Sequence, residues 1–146
     1  MFIVVPSTVE HIDDIHEIEQ SSFARPWSKR SLEELIVDKH SICLSAVCDG
    51  GKTVGSASMM HVVNEGHIYN VVVAHEYRNR QIGTMLVEGL INEALAREMI
   101  GLTLEVRVTN LLALRLYKKF GFKRAGVISG YYQHPTEDGL IMWKYL

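Results

Sequence analysis

The stretch VVVAHEYRNRQIGT, residues 71–84, contains an apolar strand, a tight turn and the start of a long helix, one directly after another. Three consecutive valines are typical of a strand that is buried on both faces. The residues that follow predict a helix over about 80–98. Its apolar inner stripe is expected to comprise Ile82, Met85, Leu86, Leu90, Ala94 and Leu95.

The turn before this helix has two interpretations. The first N–H groups of a helix lack intrahelical partners and carry a partial positive charge, to which Arg78 and Arg80 add full charges. Gly83 permits the close approach of a backbone or a ligand. These features favour a binding site for a diphosphate. The alternative is an ordinary helix start, in which the small residue only lets the helix cross the sheet closely.

The sequence on both sides of this stretch alternates between strand and helix patterns. Ser7 or Thr8 can cap a first helix, Ser28 a second and Asn110 a short one that ends at Gly121. Strands are expected at 2–5, 42–47, 53–59, 67–73 and 102–106, with two more around a loop at 133–139. Residues 49–51, Asp-Gly-Gly, predict a hairpin. The pattern predicts a single α/β domain over 1–146, with a mixed sheet and helices on both faces.

Composition excludes several classes of function. Seventeen acidic and fifteen basic side chains give a net charge of −2, which argues against a nucleic-acid partner held mainly by charge. No apolar run approaches the length of a membrane span, and the first residues do not form a signal peptide. Cys43 and Cys48 fall on opposite faces of a predicted strand and are poorly placed to pair. We therefore expect a cytoplasmic protein without a membrane partner.

Candidate catalytic side chains lie in two segments after the long helix. Glu105 interrupts an apolar strand, and a carboxylate beside a cleft can act as a general base; alternatively it is an outward-facing charge, paired with Arg107. Tyr117 can donate a proton to a leaving anion; alternatively it is a half-buried residue of an amphipathic helix. The seven histidines show no metal-ligand spacing, so no metal site is predicted.

Together these segments resemble the GNAT superfamily of acetyl-CoA-dependent N-acetyltransferases. The resemblance covers essentially the whole chain and is greatest to RimI-type enzymes, which acetylate the N-terminal amine of a small-subunit ribosomal protein. The segments that carry the narrower resemblance are Arg25-Pro26-Trp27-Ser28, Leu104-Glu105-Val106-Arg107, Asn110 with Ala113-Leu114-Arg115-Leu116-Tyr117, and Gly130-Tyr131-Tyr132. One residue departs from the family pattern, because Gln81 stands where the cofactor turn has its first glycine.

The resemblance implies roles for individual residues. Glu105 would be the base and Tyr117 the acid, while acetyl-CoA would lie in a cleft where two strands splay apart. Its binding residues would be Val71, Val72, Val73, Arg78, Asn79, Arg80, Gln81, Ile82, Gly83, Thr84 and Asn110. The Val73 N–H would face the developing oxyanion. Trp27, Tyr131 and Tyr132 could line a groove for the acceptor peptide, or could be ordinary aromatic packing.

Three functions are compatible with these residues. The first is acetylation of the N-terminal α-amine of a protein, an N-terminal alanine of a ribosomal protein being the form that the resemblance implies. The second is the same chemistry on a small amine or polyamine. The third is a module that binds acetyl-CoA without catalysis, against which the presence of both Glu105 and Tyr117 argues.

Overall fold

A computed structural model describes all residues, 1–146, as seven strands and four α-helices. The strands are β1 (Phe2–Pro6), β2 (Ser41–Cys48), β3 (Thr53–Val62), β4 (Glu65–Val73), β5 (Gly101–Arg107), β6 (Lys123–Tyr132) and β7 (Glu137–Tyr145). The helices are α1 (Ile12–Ser22), α2 (Lys29–Val37), α3 (Ile82–Ala96) and α4 (Leu111–Lys119). No helix is both long enough and apolar enough to cross a bilayer.

The strands form one mixed sheet in the order β1-β2-β3-β4-β5-β7-β6, which confirms the predicted fold class. Only the central pair, β4 and β5, is parallel, because α3 connects these strands across one face. The main core lies on that face, where α3 and Tyr117 of α4 pack against the sheet. Helices α1 and α2 cover the opposite face, where Ile18 of α1 packs on Val72.

The predicted local signals are present at most helix and turn positions. The Ser28 hydroxyl accepts the Ser31 N–H at 3.1 Å, and the Asn110 side-chain oxygen accepts the Ala113 N–H at 3.2 Å. Thr8 caps a short 3₁₀ turn that leads into α1, rather than α1 itself. The hairpin at residues 49–51 has both glycines at positive φ, where a Cβ would cause strain. The two cysteines are unpaired, as expected.

Two expectations about residues 71–98 need correction. Helix α3 covers Ile82–Ala96, and its face differs from the predicted one: Leu95 is 53% exposed, whereas Val87 is fully buried. The three valines are not all buried, since only Val72 is, while Val71 and Val73 are half-buried. The reason is that β4 has no strand partner on one side at this point.

The β4–β5 pair separates at the centre of the sheet. Its ladder runs from Glu65 opposite Gly101 to Ile68 opposite Leu104 and then stops. Beyond it, β5 remains paired with β7, and β4 remains paired with β3. A bulge at Tyr69, an extra residue relative to β3, bends β4 at this point. Residues 69–73 therefore have unpaired backbone groups facing a wedge-shaped gap, as the resemblance implies.

The start of β5 is expected to tolerate no side chain. A Cβ on Gly101 would lie 2.2 and 2.5 Å from ring carbons of Trp143 and 2.9 Å from the Lys144 carbonyl oxygen. Gly101→Ala should therefore lower the free energy of unfolding by about 1–3 kcal/mol through overpacking. Urea denaturation measures this loss. Gly126→Ala in β6 is the matched control, because its Cβ would find its nearest atom at 3.7 Å. Equal stability of the two variants would contradict the packing described here.

Candidate active site

A cavity of about 550 Å³ opens on the face of the sheet that carries α3 and α4. Its walls are the unpaired end of β4, the turn before α3, and α4. Among its lining residues are eleven of those expected from the sequence: Val71, Val72, Val73, Arg78, Asn79, Gln81, Ile82, Gly83, Thr84, Asn110 and Tyr117. The cavity is large enough for a small-molecule ligand.

Arg80 is the one expected cofactor residue that does not line this cavity. Its guanidinium lies instead over the Tyr77 ring, 5.3 Å from the ring centroid. Arg78 lines the cavity and donates from Nε to the Val73 carbonyl oxygen at 3.3 Å. Thus one of the two basic side chains of the turn is directed to the cavity wall, and the other contacts an aromatic ring.

The turn before α3 places two residues in the left-handed region, Asn79 at φ 64° and Gln81 at φ 65°. This conformation explains why the family pattern has a glycine at the position of Gln81, since glycine adopts positive φ without steric cost. The Gln81 side-chain oxygen accepts from Thr84 Oγ1 at 3.2 Å and from Lys119 Nζ at 3.5 Å. Its contacts connect the turn to α3 and to the end of α4.

Tyr117 is part of the hydrophobic core and also lines the cavity. It is 7% exposed, and its ring packs edge-on against Phe122 at 5.5 Å between centroids. Burial, followed by the neighbouring Tyr132, raises the pKa of the Tyr117 phenol well above its ordinary value. The phenol is therefore protonated throughout the neutral range and is available as a hydrogen-bond donor.

Glu105 projects to the opposite face of the sheet and does not line the cavity. Alternation along β5 directs Leu104 and Val106 into the core and Glu105 towards the other face. Its carboxylate oxygen Oε2 lies 2.6 Å from Nε2 of His67, and its side chain is 20% exposed. The suggested pairing with Arg107 is wrong, because Arg107 has other partners.

Arg107 anchors the connection between β6 and β7. Its guanidinium donates to the carbonyl oxygens of Gln133 and Pro135, both at 2.9 Å, and to Glu137 Oε1 at 3.1 Å. It also lies 4.7 Å from the centroid of the Tyr132 ring. Hydrogen bonds from Thr109 and Arg107 lower the pKa of Glu137. These contacts fix the loop that borders the Glu105 side of the sheet.

Two pairs of aromatic side chains lie in the neighbourhood of the His67–Glu105 pair. In the first pair, the Trp27 and Tyr69 rings lie 6.0 Å apart, and Tyr69 contacts His67 edge-on at 5.0 Å. In the second, Tyr131 and Tyr132 pack edge-on at 4.9 Å. Desolvation and the charges of Tyr131 and Glu105 raise the pKa of Tyr132 to about 12. Tyr131 and Tyr132 are therefore near Glu105, whereas Trp27 is connected to it through Tyr69 and His67.

The two loops that adjoin these aromatic residues contact each other. Arg25, in the connection between α1 and α2, lies 3.1 Å from His134 Nε2 in the connection between β6 and β7. Beneath the first loop, the buried carboxylate of Glu19 accepts from the Trp27 N–H at 3.0 Å and from Asn70 Nδ2 at 2.9 Å. Glu19 thus connects the Trp27 loop to the strand that borders the gap.

Glu19 should give the protein a measurable pH dependence of stability. Desolvation raises the pKa of Glu19 above its ordinary value. At a pH between the ordinary and the raised pKa, the folded state therefore holds a proton that the unfolded state has released. Stability contributed by this group is therefore lost as the pH rises from the ordinary pKa of glutamate through the raised one. Glu19→Gln should remove that loss, since the Asn70 amide can rotate to accept from the new amide.

The measurement is the free energy of unfolding in urea between pH 4 and pH 8. Glu17→Gln on the exposed face of the same helix is the control and should follow the wild-type curve. A Glu19→Gln curve parallel to that of the wild type would show that this carboxylate does not titrate with folding.

Sequence reasoning missed His67, Tyr69, Glu19 and Asn70 as neighbours of the site. Only the register of β4 against β5 places His67 beside Glu105, and no motif encodes that register. The period of two along the strand does place Arg107 on the face of Glu105, as the predicted pairing of the two residues requires. Its loop partners lie 26 to 30 residues away and have no local signal.

Comparison with known proteins gives three similarities. Residues 12–122 match the family model described as the Acetyltransferase (GNAT) family. A Bacillus subtilis protein, provisionally named as a ribosomal protein bS18-alanine N-acetyltransferase, is 34% identical over 135 residues, covering 92% of this chain and 89% of its own. The Escherichia coli enzyme of that name is 32% identical over 124 residues, covering 85% and 81%.

The fold is also shared with a solved structure. The crystal structure of the ribosomal-protein-S18-alanine N-acetyltransferase from Escherichia coli superposes with a TM-score of 0.90 at 28% identity. The match covers 99% of this chain and 94% of that one. The likeness therefore extends over every element described above.

Proposed function

Because this chain belongs to the GNAT family of acetyltransferases, with acetyl-CoA as cosubstrate, we propose that it acetylates the N-terminal α-amine of a protein. The proposed acceptor is a ribosomal protein whose first residue is alanine, as the names of the relatives indicate. The observation that carries the proposal is the gap between β4 and β5. The cavity lies along the β4 side of this gap, and Glu105 is the first residue of β5 beyond the ladder.

The cavity side of the gap would hold the cosubstrate. Its diphosphate would lie at the turn before α3, against N–H groups of residues 82–84 and the Arg78 guanidinium. The pantetheine arm would follow the edge of β4 that faces the gap at Val71, Val72 and Val73, with Asn110 as a further hydrogen-bonding group. Asn79 and Arg80 would contribute further contacts to the cosubstrate from the turn. The Gln81 side chain is held by Thr84 and Lys119, so it leaves the N–H groups of residues 82–84 available.

The acceptor would approach from the opposite face. Glu105, directly or through a water molecule, would take the proton from the α-amine, whose ordinary pKa of about 7.7–8.0 leaves much of it protonated at neutral pH. The Val73 N–H would stabilise the developing oxyanion on the thioester carbonyl. Tyr117 would donate its phenolic proton to the departing thiolate, which a dry cavity would otherwise leave poorly stabilised.

The aromatic group would bind the peptide. Trp27 with Tyr69 and Tyr131 with Tyr132 present flat apolar surfaces whose polar tips remain free for main-chain groups of an extended peptide. One pair contacts His67 through Tyr69, and the other is near enough to Glu105 for its charge to raise the pKa of Tyr132. A ribosomal-protein substrate would place the reaction in the cytoplasm.

An acceptor panel tests this proposal. Peptides that share one sequence and differ in their first residue are compared with spermidine and free alanine, and release of free coenzyme A is followed. We expect kcat/KM for the alanine peptide to exceed that for spermidine by at least about 10²-fold. The same peptide with a blocked N-terminus is the control and should give no release above background.

Two results would contradict the proposal. Faster acetylation of spermidine than of every peptide would identify a small-amine acetyltransferase. A rise in melting temperature with acetyl-CoA, without transfer to any amine on the panel, would identify a module that binds the cosubstrate without catalysis.

A further inference from the structure

The Glu105 carboxylate has one side-chain hydrogen-bond partner in the protein, the imidazole of His67. We propose that His67 is a positioning residue, which holds this carboxylate so that its second oxygen faces the acceptor amine. The inference rests on the proposed function, since it assigns to Glu105 the role of base. The interaction concerned is the contact between His67 of β4 and Glu105 of β5.

The pair lies where the two central strands separate. His67 is opposite Thr103, and the ladder ends one residue later at Ile68 and Leu104. Glu105 is therefore the first residue of β5 beyond the ladder, and the hydrogen bond from His67 spans the inner end of the gap. A bond at this position fixes the carboxylate of β5 relative to β4, the strand on the other side of the gap.

The direction of the hydrogen bond follows from the chemistry of the two groups. An ionised carboxylate has no hydrogen to donate, so the hydrogen between the two atoms belongs to His67 Nε2. The second carboxylate oxygen, Oε1, makes no hydrogen bond to the protein. It is therefore free to accept a proton from the amine or from a water molecule, while Oε2 stays bound to the imidazole.

The charged neighbours leave this pair without a competing cation. The Arg107 guanidinium is engaged by Glu137 and two loop carbonyls, and the Glu19 carboxylate by Asn70 and the Trp27 N–H. The Tyr69 ring contacts His67, and the phenols of Tyr131 and Tyr132 are near enough to Glu105 for its charge to raise their pKa. The imidazole of His67 is thus the group that orients the base, with no arginine or lysine side chain bonded to the carboxylate.

Two substitutions separate positioning from packing. His67→Gln keeps an N–H donor near Oε2 but loses the ring, whereas His67→Phe keeps a ring against Tyr69 but loses the donor. Loss of a hydrogen bond to a charged group corresponds to about 10–100-fold, so we expect kcat to fall by that factor in His67→Phe. Rescue to within about threefold of wild type by His67→Gln is expected, with the KM for acetyl-CoA unchanged in both.

The opposite order would overturn the proposal, because a packing role predicts that His67→Phe is the milder change. His40→Gln, at an exposed histidine outside the site, controls for the loss of an imidazole and should match wild type. In a Glu105→Gln background, His67→Phe should cause little further loss, since the two residues act together. Full additivity of the two losses would likewise overturn it.

A spectroscopic measurement separates failure of this inference from failure of the proposed function, since it needs no turnover. Two-bond ¹⁵N–¹H correlation spectra of the resting protein at pH 8 report which ring nitrogen of His67 carries hydrogen. We expect hydrogen on Nε2 in the wild type. A bare Nε2, with hydrogen on Nδ1 alone, would overturn the inference whatever the acceptor amine proves to be.

Discussion

Glu105→Gln should lower kcat by about 10²–10⁴-fold, the range over which general bases contribute, while the protein stays folded. The substitution removes the ability to take a proton but keeps an oxygen that can accept from His67 Nε2. The strand packing is unchanged, because Glu105 projects away from the core. Steady-state rates with saturating acetyl-CoA and the alanine peptide measure the loss.

The control for this variant is Glu34→Gln, which removes an exposed carboxylate from α2. Its rate should match that of the wild type, and both variants should unfold at the temperature of the wild type within a few degrees. A Glu105→Gln rate within threefold of wild type would exclude this carboxylate as the base. An equal fall in rate and in folded fraction would instead assign it a structural role.

Tyr117→Phe should lower kcat by about 10²–10³-fold, because it removes the proton donor for the thiolate and nothing else. The phenyl ring can keep its edge-on contact with Phe122 and its place in the core, so stability should change little. Single-turnover rates of thioester cleavage measure the effect. Tyr145→Phe, at an exposed tyrosine near the end of β7, is the control and should be without effect.

The pH dependence provides a second test of the same residue. Burial raises the pKa of Tyr117, so its phenol stays protonated at every pH up to the ordinary pKa of a tyrosine. The ratio of wild-type to Tyr117→Phe rates should therefore be constant between pH 6 and pH 9.5. A ratio that falls to unity towards pH 9.5 would mean that the phenol ionises within that range and is not the donor described here.

Much of the fold could be predicted because its signals are local. Ser28 and Asn110 act as caps through bonds to residues three positions later, and the two glycines of the β2–β3 hairpin satisfy positive φ angles within the turn. Such features depend on a few neighbouring residues, and the sequence carries them directly. The order of elements followed from these signals together with the change of apolar period.

Features that depend on strand register could not be predicted in the same way. The three valines indicate a strand buried on both faces, yet β5 leaves β4 before it reaches them, so all three line a cavity and two of them are only half-buried. Leu95 fits the helical period, but it is 53% exposed, whereas the preceding residue Ala94 is fully buried. The His67–Glu105 contact requires the pairing of strands 38 residues apart.

The structure of this protein with a conjugate of coenzyme A and an alanine peptide tests the central claim most directly. We expect the linkage between the two halves to lie in the gap beside residues 71–73, with the peptide among Trp27, Tyr131 and Tyr132. The Glu105 carboxylate should lie on the peptide side and the Tyr117 hydroxyl within hydrogen-bond distance of the sulfur. A complex in which β4 and β5 pair along their full length, with the conjugate bound elsewhere, would contradict the account.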